Sequence, residues 1–139
     1  MAELHPRLAQ DCVVLGKFPL SRLLLMKDAN YPWFILVPDR DRISEIHHLS
    51  EADQHQLWRE SAQLSRALEQ AFSPDKLNIA ALGNVVPQLH VHHVVRYTAD
   101  PAWPAPVWGA VPAIEYAAGA MDEIIEKLRA VLTTGFEFA

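Results

Sequence analysis

At 139 residues, half of them hydrophobic, the chain is sized for one domain over 1–139 with a core of ordinary extent. A formal net charge of -5 and the scatter of its 12 lysines and arginines leave no basic stripe to grip a nucleic-acid backbone, so no polymeric nucleic acid is expected as a partner; a local pocket of donors can still hold a small anion. The lone Cys12 excludes an internal disulfide and a thiolate zinc cluster, and with a charged N-terminus and apolar runs of only four to six residues it points to a cytoplasmic protein with no export signal and no membrane span.

The first elements are short. Residues 12–15 (CVVL) and 21–26 (SRLLLM) are apolar runs parted by Gly16 and Pro19, which predicts a strand pair. Residues 34–37 (FILV), walled by Pro32 and Pro38, are too few for a helix and predict a third, central strand. The period then changes. Ser50 stands before Glu51, Ala52 and Asp53 in the manner of a capping box, Leu49 can staple the start, and Leu57, Leu64, Leu68, Ala71 and Phe72 recur at helical spacing up to Ser73-Pro74. This predicts a helix of about five or six turns.

Residues 77–82 predict a fourth strand, Gly83-Asn84 a turn and residues 89–96 a fifth strand. The proline-rich DPAWPAPVWG at 100–109 predicts an ordered loop pinned by Trp103 and Trp108. A last helix over about 114–132 would turn Ile114, Met121, Ile124, Ile125, Leu128 and Leu132 inward. Strands joined without crossover helices pair antiparallel, so the expected class is α+β: about five mainly antiparallel strands with one long helix and a C-terminal helix.

The chemistry is concentrated in PQLHVHHVVR, residues 87–96. Strand alternation sends Gln88, His90, His92 and Val94 to one face and Leu89, Val91, His93 and Val95 to the other. Three readings of this row stay open. Imidazoles can serve as polar side chains on a solvated face. His90 and His92 can ligate zinc, given a third ligand such as His47, His48 or His55 brought in by the fold. Or they can act on phosphate, since imidazole is a nucleophile and, when it carries hydrogen, a donor to phosphate oxygens.

The segment NVVPQLHVHHVVR resembles the signature of the histidine triad (HIT) family, H-φ-H-φ-H-φ-φ with φ apolar. YPWFILVP is similar to the family's G-H-φ-φ-φ-φ-P strand, and LSEAD to the L-S/T-x-x-E that opens the following helix, so the likeness runs in order over about residues 12–100. The resemblance implies a HIT-like α+β fold, a nucleotide substrate, no cofactor, no metal and a homodimer that joins two sheets. Position by position it puts Gln88 at the first histidine, His90 at the nucleophilic second and His92 at the third, which donates to the phosphate.

Around them, Asn84 is a candidate amide donor to phosphate, Lys27 and Arg96 candidate cations, and Lys27-Asp28 sits near the family's ribose site. Asn84 also reads as part of an ordinary Gly-Asn turn, and Lys27-Asp28 as two solvated turn charges. Trp33 stands where catalytic members often carry a fourth histidine, and His93 where an apolar residue is expected, unless a bulge turns it to the site. The implied activity is nucleotide-phosphate hydrolysis or nucleotidyl transfer through a nucleotidyl-histidine. Phosphoanhydride and phosphoramidate bonds are both in scope, with dinucleoside polyphosphates such as diadenosine polyphosphates foremost. The alternative is a HIT-like module that binds nucleotide with slow or no turnover.

Overall fold

The computed structural model describes residues 2–139. A short helix, α1 (Pro6–Asp11), opens the chain: Pro6 presets the first helical φ, and the Nδ1 of His5 accepts the amide N–H of Arg7 at 3.1 Å. It leads into β1 (Cys12–Lys17), which with β2 (Ser21–Met26) and β3 (Trp33–Pro38) forms an antiparallel meander. The long helix α2 (Glu51–Phe72) follows. After it come β4 (Lys76–Ala80), β5 (Val91–Arg96), the helix α3 (Ala120–Arg129) and β6 (Glu137–Phe138).

The six strands make one antiparallel sheet in the order β4-β5-β3-β2-β1-β6. Strand β3 is buried at every position, as its unbroken apolar run requires of a central strand. Alternation then builds two cores. Leu23, Leu25, Phe34, Leu36, Val91 and Val95 pack under Leu57, Leu64 and Leu68 of α2. On the other face Leu24, Trp33, Ile35, Val37 and Val94 are covered by Leu8 of α1, Tyr31, Val86 and Val107. Because Ile35 pairs with His92 and Phe34 with His93, neighbouring histidines of β5 belong to opposite faces.

Helix α2 begins where the cap predicts, with Ser50 Oγ accepting the amide N–H of Asp53 at 3.1 Å, and ends at Ser73 in the left-handed conformation (φ 46°). Its buried Glu60 carboxylate accepts the amides of Leu20 (2.8 Å) and Ser21 (3.0 Å), which clamps the β1–β2 turn to the helix. No helix among the described residues is long and apolar enough to cross a membrane.

Several elements differ from the sequence reading. The sheet has six strands instead of about five, because β6 returns along β1, where a Cβ on Gly16 would lie 2.1 Å from the Glu137 carbonyl oxygen. The last helix is shorter than 114–132. Ile114 lies outside it and 56% exposed, because its amide N–H donates to Asp28 (3.3 Å) and its carbonyl accepts from Ala29 (2.8 Å). Strand β5 starts at Val91 instead of Leu89, since the amide of Leu89 is spent on the Ile43 carbonyl at 2.9 Å.

Candidate active site

Gln88 and His90 precede the strand, yet His90 and His92 still present their rings to the same side, with centroids 4.8 Å apart and planes at 70°. Each ring has one nitrogen engaged. His90 Nδ1 lies 2.7 Å from the Gln88 main-chain carbonyl, which can only accept, so Nδ1 carries the hydrogen and Nε2 of the neutral ring keeps its lone pair. His92 Nδ1 lies 2.9 Å from the indole Nε1 of Trp33, which can only donate. Here Nδ1 is the acceptor, and the hydrogen of the neutral ring sits on Nε2. Among the described residues neither Nε2 has a hydrogen-bond partner within the protein.

Burial, together with the neighbouring His90 and His93, pushes the pKa of His92 down to about 3. It is therefore uncharged at neutral pH. His93 lies on the opposite face without any bulge in β5: its Nδ1 donates to the Val91 carbonyl (3.1 Å), and its Nε2 accepts from the Ser61 hydroxyl (2.7 Å). Burial lowers its pKa to about 4, partly offset by the bond to Val91.

Both exposed nitrogens belong to residues that line a cavity of about 340 Å³. Its apolar wall is Leu8, Met26, Leu82, Val85, Val86 and Trp108, and Arg7, Asp11, Gly83 and Asn84 complete the lining. Trp108 stands edge-on to His92 (5.0 Å between centroids) and to Trp33 (5.7 Å). A second hollow of about 250 Å³ shares Leu82, Gly83 and His90 with the first and continues past Ser44, Glu45, His47 and Gln88. An apolar wall with imidazoles and an amide donor suits a ligand that is part flat ring and part phosphate.

The sequence-predicted residues divide. His90, His92 and Asn84 meet in the cavity, where Gly83 (φ 77°) takes the left-handed turn before Asn84. Trp33 is buried behind His92 and acts on it directly. The side chain of Gln88 is taken up elsewhere: Oε1 accepts from the amide of His5 (2.7 Å) and Nε2 donates to the Glu3 carbonyl (3.0 Å).

Three others line neither hollow; Lys27 stays on the surface, while Asp28 and Arg96 are buried in the fold. Lys27 Nζ donates to the Gln10 carbonyl at 3.1 Å. Asp28 is buried and accepts from the amide and side chain of Asn30 and the amide of Ile114. Arg96 is 1% exposed, paired with Asp100 at 2.7 Å and hydrogen-bonded to Asn78, with its guanidinium over the rings of Tyr31 and Trp103.

Sequence reasoning missed Arg7 and Asp11, which α1 places in the cavity lining as an ion pair at 3.2 Å. Pro6 ahead of RLAQD was the available signal. Among the described residues no group of three His, Cys, Asp or Glu is arranged to hold a metal ion.

Comparison with known proteins agrees with this fold. Residues 7–99 match the family model described as HIT domain. Of solved structures, a histidine triad protein from Bradyrhizobium japonicum is 49% identical with a TM-score of 0.91, the match covering 94% of this chain and 97% of that one. One from Marinobacter aquaeolei VT8 is 47% identical with a TM-score of 0.92, covering 97% and 98%. Another from Sinorhizobium meliloti 1021 is 37% identical with a TM-score of 0.90, covering 93% and 96%. No curated protein matches the sequence.

Proposed function

The chain belongs to the histidine triad (HIT) family, and from that premise we propose that it is a nucleotide-phosphate hydrolase or nucleotidyl transferase working through a nucleotidyl-histidine at His90. One observation carries the reading. The Nε2 of His90, which carries the lone pair whenever that ring is neutral, and the Nε2–H of His92 belong to neighbouring rings of one cavity, each tautomer set by a bond to the far nitrogen of its ring.

In this reading His90 Nε2 attacks the α-phosphorus, and the Nδ1–H bond to the Gln88 carbonyl keeps the ring aimed and stabilises the positive charge that develops on it. His92 Nε2–H donates to a non-bridging oxygen. Asn84 adds an amide donor from the same lining, and the apolar wall that includes Trp108 takes the base. Water or another acceptor then releases the nucleoside monophosphate. Dinucleoside polyphosphates, diadenosine polyphosphates among them, are the first substrates to test.

A second reading, a nucleotide-binding module without turnover, is favoured by Gln88 and Trp33 standing where catalytic relatives often have histidines. Incubation with a panel of dinucleoside polyphosphates and nucleoside phosphoramidates, with His90→Ala as control, separates the two. A product that depends on His90 supports the enzyme; binding without one supports the module. A homodimer is part of the proposal: β4 is an edge strand with Ile79 exposed, open to pairing with its equivalent. Light scattering after size exclusion at twice the 15.6 kDa of the chain is the expected result.

A further inference from the structure

We propose that Trp33 is a positioning residue that fixes His92 in its Nε2–H tautomer and so restricts the site to leaving groups that depart without a proton, phosphoanhydrides rather than phosphoramidates. The inference rests on the hydrolase reading above and narrows its substrate class.

The geometry begins with two hydrogen-bond partners that cannot reverse roles. An indole N–H only donates and points at His92 Nδ1 from 2.9 Å. A hydrogen on that nitrogen would meet the indole hydrogen head-on, so forming the imidazolium requires Trp33 to move. Trp33 is held. It is buried on the central strand β3 opposite Val94, with Tyr31 at 6.2 Å and Trp108 at 5.7 Å between ring centroids.

The groups around His92 offer no compensation. His90 directly precedes β5 and His93 lies on it, Ile35 and Ala80 are the cross-strand neighbours of His92, and α1 contributes the apolar Leu8 and the Arg7–Asp11 ion pair to the cavity lining. Among the described residues no carboxylate is hydrogen-bonded to the His90 or His92 ring. His47, exposed in the adjoining hollow, is hydrogen-bonded to neither. Burial and the two neighbouring imidazoles further disfavour a charged His92.

The consequence follows from counting protons. His90 spends its Nε2 lone pair on the phosphorus, and its only hydrogen is held by the Gln88 carbonyl. His92 offers a neutral N–H, a hydrogen-bond donor and not an acid near neutral pH. The Gln88 side chain is an amide bound to the N-terminal segment and has no acidic proton to give.

With a phosphoanhydride, the Nε2–P bond forms as the bridging P–O bond breaks. The electron pair leaves on a phosphate oxygen that is stable as an anion. Water then forms the new O–P bond, the pair of the P–Nε2 bond returns to His90, and the water proton passes to solvent. With a phosphoramidate, the bridging nitrogen must take up a proton as the P–N bond breaks, because an amide anion is too basic to leave. No group in the cavity supplies one.

Two measurements on the wild-type protein and one variant test this. Histidine 15N shifts read the His92 tautomer from about pH 5 to about pH 8, and turnover is compared between a dinucleoside tetraphosphate and an adenosine 5'-phosphoramidate of a primary amine. The expected result is Nε2–H with bare Nδ1 throughout, and an anhydride preference of at least about 100-fold, the scale of a missing general acid. Trp33→Phe, which keeps an aromatic ring but removes the N–H, is expected to raise the His92 pKa and narrow the preference about 10-fold or more.

A wild-type His92 that is Nδ1-protonated or cationic at neutral pH overturns the proposal. So does phosphoramidate turnover within about 10-fold of the anhydride. If Trp33→Phe does not fold, the wild-type shifts and rates decide alone. Absence of turnover on both substrates with the tautomer as stated defeats the hydrolase reading and the leaving-group restriction with it, while the indole's hold on His92 stands.

Discussion

The ring of His90 is oriented by the backbone of Gln88: Nδ1 donates to its carbonyl at 2.7 Å, while the Gln88 side chain reaches away to the amide of His5 and the carbonyl of Glu3. The residue standing where a third imidazole is expected thus does two separable jobs. Its main chain aims the proposed nucleophile, and its side chain ties the N-terminal segment that carries α1 to the site.

Gln88→Ala keeps the carbonyl and loses only the tether. Arg7, Leu8 and Asp11 of the cavity lining are then less firmly placed. The expected outcome is a KM raised several-fold with kcat changed less than about threefold, and a stability loss of about 1 kcal/mol for one partly buried and one exposed hydrogen bond. A collapse of kcat at unchanged KM would instead give the amide a part in the chemistry.

Ser61→Ala tests the separation of the two histidine faces. It removes the hydroxyl that donates to Nε2 of the fully buried His93 and leaves that nitrogen unsatisfied. A loss of about 1–3 kcal/mol in urea unfolding is expected. Because His93 faces α2 and not the cavity, kcat is expected to change less than about twofold.

Stability should also fall on the acid side. The folded pKa values of His92 and His93 are lowered by burial to about 3 and about 4, below the ordinary value of 6.5. Between those values and about pH 6.5 the unfolded chain binds more protons than the folded one. The contribution is complete above about pH 6.5 and shrinks as pH falls toward 4 and then 3, by an amount on the order of a few kcal/mol. Urea midpoints from about pH 7 to about pH 4.5 measure it, and a flat profile would contradict the burial of two neutral imidazoles.

Asp100→Ala strips the partner from a buried guanidinium and frees the amides of Tyr97, Ala102 and Trp103. Burial works to raise the Asp100 pKa, but Arg96 and these three amides together hold it down at about 2, so the pair persists through the usual carboxylate range and is lost only as pH falls toward that lower value. Breaking it is expected to cost about 3–5 kcal/mol. The loop then loosens its hold on Trp108, which a red-shifted tryptophan emission and a raised KM would report.

Much of this was legible locally. Period-2 alternation separated His93 from His90 and His92, helical spacing with Ser50 placed α2, and the proline-walled FILV gave the central strand. What escaped depends on partners distant in sequence. Asp28 reads as a turn charge until Ile114, 86 residues on, supplies the amide that buries it. Arg96 reads as a cation near the motif, yet Asn78 on β4 and Asp100 four residues on hold it in the core. A six-residue helix and a two-residue strand are too short to carry a period, so α1 and β6 gave no such signal.

The central claim is that His90 forms the covalent bond. The most direct measurement is a rapid acid-free quench of the protein mixed with a dinucleoside polyphosphate, followed by intact and peptide mass spectrometry. The account predicts a nucleoside monophosphate adduct that peptide fragmentation assigns to His90, that forms and decays on the timescale of turnover and that is absent in His90→Ala. Turnover that survives His90→Ala, or an adduct carried by His92 or His93 instead, would contradict it.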